Sequence, residues 1–341
     1  RKEELAYFLK WIDDIKQEKS QSTAILARRK MGKTALMERL FNITFARNDG
    51  VIPFYYEMKE TRMWTVDFCQ DFFLTFIYQY IAFKSRKPGY LGLDKKNNLE
   101  AAKKDAVKEG LDYLTVIIEN VAYSVAHEKV DMLWEAVREA PKTIANSKKE
   151  FIVQMIDEFQ FLNSMIYLDK TKKDVADSLA GGYLSTAESK IAPLLVSGSW
   201  VGWLMNLLIM MLPARFKYKF LKDMPKDEAV EMVFKYSRFF EVPVKEEIVY
   251  LIAEITEGSP FYISSIMRSE YGDKDLTTKE GLASTLEFET LNNQGVIKAT
   301  WMEYVKTAFS RVNDRNAKRI VLHLFKHKDR ELTRKELLDD L

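Results

Sequence analysis

The run Thr23-Ala24-Ile25-Leu26-Ala27-Arg28-Arg29-Lys30-Met31-Gly32-Lys33-Thr34-Ala35-Leu36 constrains the fold of this chain more than any other stretch. Strand-like residues 23 to 26 lead into a basic loop, and Gly32-Lys33-Thr34 closes it just before a helical pattern that runs to about Phe45. A glycine-lysine-threonine triplet alone is weak, but a strand before it and a helix after it give it a geometry. Backbone N–H groups of such a loop, with the positive end of the helix dipole, converge on phosphate oxygens. The pattern G-x-x-x-x-G-K-[ST] assigns Lys33 to the β- and γ-phosphates and the Thr34 hydroxyl to Mg²⁺. The expected nucleotide-binding set is therefore Ala27, Arg28, Arg29, Lys30, Met31, Gly32, Lys33, Thr34 and Ala35; the alternative is a basic surface turn. Ala27 departs from the pattern, which has glycine where the chain turns out of the strand. Alanine is the smallest replacement, so the loop is expected to work with weaker affinity, and Ala27→Gly to relax the turn and tighten binding.

Before the loop, residues 1 to 18 read as an amphipathic helix on Leu5, Phe8, Leu9, Ile12 and Ile15. After it, "VIPFYYEM" at 51–58 reads as a second strand, so the order is strand, loop, helix, strand, the opening of a parallel α/β sheet. Residues 64–83 are helical and aromatic, and 99–144 return to helical spacing without a strand signal. "FIVQMI" at 151–156 has the compact apolar character of a central parallel strand. A fourth strand ends near Ser197 and a short fifth lies near 218–221. Beyond Pro225 the pattern becomes short helices separated by Pro or Gly, as in a helical lid, and the end resembles the start of a winged helix-turn-helix. The domains expected are an α/β core at 1–222 with a helical insertion at about 84–148, a helical lid at 223–310, and a truncated winged-helix-like segment at 311–341.

Composition narrows the function classes. Of 341 residues, 52 are Lys or Arg and 50 are Asp or Glu, so a net charge of +2 gives no general reason to expect nucleic acid or an anionic membrane. With one cysteine, Cys69, and three histidines, His127, His323 and His327, the chain can form no intramolecular disulfide and has no Cys/His zinc set. This composition fits a reducing cytoplasm. The chain begins Arg-Lys-Glu-Glu with no apolar signal segment, and the missing methionine suggests a trimmed terminus. Residues 191–214 carry no charge and are long enough to span a bilayer. The polar Ser197-Gly198-Ser199 divides that run into a strand-like and a helix-like part, so a buried strand followed by a buried helix is expected, and no membrane. The aromatic cluster Phe72, Phe73, Phe76, Tyr78, Tyr80 and Phe83 reads as core, because it crowds several faces and has no interleaved cation before Lys84.

The strand at 151–156 runs into Asp157-Glu158-Phe159-Gln160. An aspartate at the carboxyl end of a buried parallel strand reaches the Mg²⁺ shell opposite the loop, and the next glutamate can orient or activate a water. Asp157 and Glu158 are the candidates for those roles; the alternative is an acidic helix N-cap.

"ARRKMGKTAL", "VIPFYYEM", "FIVQMIDEFQFL", "LLVSGSWVGWL" and "ITEGSPFYISSI" occur in the order of the archaeal-type ATPase family within the STAND and AAA+-like P-loop NTPases, which the chain resembles over roughly residues 1–310. It departs from the family at Ala27 and in the helical segment 84–148. The resemblance implies a P-loop parallel sheet with a helical lid, ATP or ADP with Mg²⁺ as ligands, and catalytic roles for Lys33 and Glu158. It places Ser197 and Ser199 as polar sensors near the γ-phosphate, and Arg215 as an arginine that faces phosphate in the same or a neighbouring subunit; a solvated Arg215 beside Lys217 is the other reading. Gly258-Ser259-Pro260-Phe261 starts a lid helix aimed at the nucleotide, or is a simple cap.

The function expected is that of a cytoplasmic, slowly hydrolysing ATPase acting as a nucleotide-controlled switch in a larger assembly, with a protein partner or self-assembly. One alternative is a DNA-associated AAA+-type regulator or loader, using "KSRKPGYLGLDKK" and the C-terminal region on phosphate backbones. Another is a nucleotide-bound scaffold that does not hydrolyse.

Overall fold

Apolar runs such as "TAIL", "FIVQMI" and "LLVSG" have no polar face, so they fold stably only with cover on both sides. The computed structural model, which describes residues 1–311, 317–327, 330 and 332–340, provides that cover. Its main sheet contains β1 (Thr23–Leu26), β2 (Val51–Glu57), β3 (Phe151–Asp157), β4 (Leu194–Gly198) and β5 (Lys217–Phe220) in the order β2-β3-β4-β1-β5. Every pairing in it is parallel. The chain leaves β1 toward β2 and leaves β4 toward β5, so connections from these two neighbours depart in opposite directions. Parallel sheets bind ligands at the carboxyl ends of the strands beside such a point.

Alternate residues of each strand enter different cores, as a period of two requires. Ile25, Val51, Val153, Met155 and Leu195 pack with α1 (Lys2–Asp13) and α2 (Lys33–Arg47). Ala24, Leu26, Phe54, Ile156 and Val196 face the opposite layer, built on α3 (Thr65–Ser85). Phe72, Phe73, Phe76, Tyr78, Tyr80 and Phe83 are all buried there, and Phe54 meets Phe72 and Phe76 edge-on with centroids 5.1 and 5.2 Å apart. Full burial of one such ring contributes about 1.5–3 kcal/mol. The sheet edge at β2 is closed by a side chain: Gln79 of α3 accepts from the Tyr55 N–H and donates to the Tyr55 carbonyl, both at 2.8 Å. That gives Tyr55 the two partners a neighbouring strand would supply and blunts the edge at that point.

The segment 84–148 is not an appendage. It divides into α4 (Leu99–Lys108), α5 (Leu114–Ala126) and α6 (Val130–Lys148), broken where Gly110 and Glu128 take φ of +72° and +50°. Their buried Leu114, Ile118, Leu133, Val137 and Ile144 join the same core as α3 and the sheet. The run 191–214 is strand β4 followed by α7 (Val201–Met211). No described helix is long and apolar enough to cross a membrane.

The chain divides into two compact units, Arg1–Asp223 and Met224–Leu341. The second is helical: α8 (Lys226–Phe239), α9 (Glu246–Ile255), α10 (Pro260–Met267) and α11 (Lys279–Leu291) surround a core that includes Val233, Ile252, Ile263 and Leu282. Pro260 opens α10, where its missing N–H costs nothing. The winged-helix-like segment is described as helices Ala317–Lys326 and Arg334–Asp340; 312–316, 328, 329, 331 and 341 lie outside the described residues.

Candidate nucleotide site

The loop between β1 and α2 turns at Lys30 and Gly32, whose φ values are +63° and +81°. Gly32 is the N-cap residue of α2 and brings no side-chain hydrogen bond to it, so the first-turn N–H groups are left for an anion. Ala27 is absent from the left-handed residues, which corrects the expectation attached to it: the turn that needs glycine lies further along. Its methyl group is instead buried in the core that α1 and α2 share. Ala27→Gly is therefore expected to leave nucleotide affinity within about twofold and to lower stability by about 1–2 kcal/mol, by loosening the unfolded chain and removing a buried methyl. Calorimetry and thermal unfolding measure the two effects separately.

Thr34, in the first turn of α2, donates to Asp157 Oδ2 at 2.6 Å. The other oxygen, Oδ1, accepts from the Ser197 hydroxyl and from the Glu158 N–H at 2.9 Å. Both oxygens of this fully buried carboxylate are thus engaged, which a buried charge requires. Lys33 is 4% exposed. Burial pushes its ammonium below the usual range, against the opposing pull of Glu158 and Asp157. Its Nζ donates to the Arg28 carbonyl at 3.4 Å. Burial together with Asp157, Glu38 and Glu158 raises Glu57, the register partner of Asp157. A cluster of carboxylates therefore sits beside one buried lysine.

Glu158 leaves β3 with φ +52°, a conformation that costs a non-glycine residue energy and collects at functional sites. Its Oε2 accepts from the Ser199 N–H at 3.2 Å, the Ser199 hydroxyl at 2.7 Å and the Gln160 side-chain amide. Gln160 is fully buried, and its Oε1 has no hydrogen-bond partner. It fits because residue 198 is glycine: a Cβ there would overlap Gln160 Oε1 and approach Leu204 Cδ2 to 2.8 Å. Gly198→Ala is expected to destabilise the fold by about 1–3 kcal/mol through overpacking and to pull Gln160 off Glu158, measurable as a lower Tm with altered hydrolysis.

The structure thus brings together Lys33, Thr34, Asp157, Glu158, Ser197 and Ser199. It does not bring Arg215 to them. Arg215 precedes β5, whose Lys217 pairs with Thr23 at the start of β1, whereas the loop leaves β1 after Leu26. At about 3.3 Å per residue those ends are roughly 10 Å apart, and Arg215 Nε is held by Glu188 at 2.8 Å. Its facing phosphate within the same chain is thereby corrected: nearness in sequence to α7 does not say which end of the sheet a residue occupies. The sequence pattern gives Gln160 no role and does not reveal the glycine that makes room for it. Gln160 lies two residues beyond Glu158 in "DEFQ", which was the available signal.

The strand order, the loop after β1 and the placement of Asp157 and Glu158 at the end of β3 are those of an AAA+-like P-loop fold, the fold that the motifs resemble. A Walker-type ATPase of Pyrococcus abyssi is similar to this chain with a TM-score of 0.55 at 16% identity, over 99% of this chain and 87% of that one. The ADP form of the Aeropyrum pernix ORC2 protein gives 0.46 at 12% identity, over 85% and 70% of the two chains. The ORC1 protein of the same organism, in complex with DNA, gives 0.46 at 13%, over 96% and 72%. No protein-family model matches the chain, and no curated protein is significantly similar to it. At these identities the likeness is one of fold, and only the first is close enough to carry that argument.

Proposed function

We propose that this protein is an ATP-binding P-loop ATPase whose slow hydrolysis works as a conformational switch in a larger assembly, with a protein partner or further copies of itself, in the cytoplasm. The observation that carries the reading is the division of labour between two adjacent carboxylates: Asp157 is bonded to the loop's Thr34 at 2.6 Å, and Glu158 is turned to Ser199 at 2.7 Å.

A Thr hydroxyl and a buried aspartate are hard oxygen donors, and no group of three or more His, Cys, Asp or Glu among the described residues is placed to hold a metal. Mg²⁺ suits such a pair, since it takes few protein ligands and completes its shell with phosphate oxygens and water. Thr34 and Asp157 would hold it, and it would supply neutralisation of phosphate charge. Lys33 and the N-terminal turn of α2 bind the β- and γ-phosphates. Glu158 takes the proton of the attacking water as general base. Three donors on Oε2 hold that carboxylate toward Ser199, and turnover stays slow in this reading until Ser199 and Gln160 release it. ATP then favours one conformation and hydrolysis the other, with the helical unit as the proposed responding element.

Mass spectrometry of co-purified nucleotide, followed by single-turnover hydrolysis with Mg²⁺, tests the reading. Failure to bind ATP would overturn it, and tight binding without turnover would leave the scaffold reading. One of the two features behind the DNA-associated alternative is weakened, because Lys84 pairs with Glu150 at 2.6 Å, Lys87 with Glu109 at 2.6 Å and Lys95 with Asp94 at 2.9 Å. These three lysines are paired locally, which lowers the charge that the segment offers a phosphate backbone.

A further inference from the structure

The loop carries a second cation that Lys33 does not explain. Arg29 Nη2 lies 2.6 Å from Glu60 Oε2, and its guanidinium stands 5.3 Å from the centroid of the Trp200 ring. Glu60 follows β2 and Trp200 follows β4, and in the sheet these strands flank β3. Arg29 therefore ties together the two strand ends on either side of the one bearing Asp157 and Glu158. It is also close enough to Lys33 to oppose its positive charge.

We infer that Arg29 senses the terminal phosphate of the nucleotide by exchanging Glu60 for phosphate oxygens, an inference that rests on the nucleotide reading above. The planar guanidinium fork fits carboxylate and phosphate alike. A polyphosphate seated on the loop carries more charge than one carboxylate, and the Glu60 side chain is 42% exposed, so its hold on Arg29 is screened by solvent. ADP lacks the terminal phosphate and leaves the pair intact. ATP breaks it, freeing the turn that carries Glu60 and changing the surroundings of Trp200 in front of α7. One loop residue thus conveys the state of the nucleotide to two other segments of the core.

The test is a double-mutant cycle on MgATP and MgADP affinity, measured by calorimetry. Glu60→Gln is expected to tighten MgATP by about three- to fivefold and to leave MgADP unchanged, because a competitor is removed. Arg29→Ala is expected to weaken MgATP by about tenfold and to bring the ATP and ADP affinities together. In the Arg29→Ala background, Glu60→Gln should do nothing. An ATP-dependent change in tryptophan emission should vanish in Trp200→Phe. An unchanged ATP affinity in Glu60→Gln, an equal effect of that substitution in both backgrounds, or an intact ATP/ADP ratio in Arg29→Ala would overturn the inference. Should Arg29→Ala fail to fold, the Glu60→Gln comparison decides alone, since a partly exposed Glu→Gln change is tolerated. A parent protein that binds no nucleotide overturns the nucleotide reading and this inference with it; a parent that binds ATP without the coupling overturns only the inference.

Discussion

Glu158→Gln leaves ATP affinity within a few fold of the parent and lowers hydrolysis by roughly 10²-fold or more, the expected loss when a general base is replaced by its uncharged isostere. The geometry keeps this substitution clean. The contact from residue 158 to Asp157 is made by its backbone N–H at 2.9 Å, so it survives the change. A glutamine oxygen can accept from the Ser199 hydroxyl and N–H as Oε2 does now. What disappears is the carboxylate's charge and its capacity to take a proton. The variant should accumulate with ATP bound and hold any partner longer. Single-turnover hydrolysis with enzyme in excess is the measurement. A rate equal to that of the parent would reduce Glu158 to a capping residue and leave the switch without a trigger.

Lys33→Ala abolishes detectable ATP binding. Lys33 is buried beside Asp157 and Glu158, with Glu38 and Glu57 in the same field. Without its ammonium, the phosphates would face that acidic cluster with the nearest compensating charge gone. Removing one partner of a buried charge pair costs about 3–5 kcal/mol, or roughly 10²–10⁴ in affinity. The folded chain should bear the change better than the ligand does, because burial already disfavours the charged lysine and an alanine at this helical position has high propensity. Titration calorimetry alongside thermal unfolding separates the two. Unchanged affinity would remove the phosphate-loop assignment altogether.

These experiments bear on residues of differing legibility. The loop could be read from sequence because the motif, its strand and its helix lie together in the chain. Thr23–Leu26 is the strand the apolar run announced, and β3 ends at Asp157 because a strand buried on both faces stays apolar until it reaches the ligand edge. The aromatic residues of α3 were legible as core for the same reason, since their number exceeds what one helical face can carry. The break of 99–144 into three helices was less clear, as positive φ at Glu128 has no glycine to announce it.

By itself, then, the sequence determined the strand-loop-helix at residues 23–47, the paired carboxylates at the end of a strand and the parallel α/β class, all of which depend on residues adjacent in the chain. Only the tertiary structure decided that Arg215 lies at the far end of β1 beside Glu188, that Glu158 is held by Ser199 and Gln160, and that Arg29 joins Glu60 to Trp200. The physical reason is that hydrophobic periodicity reports which face of an element is buried, while strand order and register determine which residues from separate segments meet there. Ala27 shows both at once: its identity was plain from the sequence, but whether it needed to be glycine depended on a backbone angle that the loop places three and five residues further on, at Lys30 and Gly32.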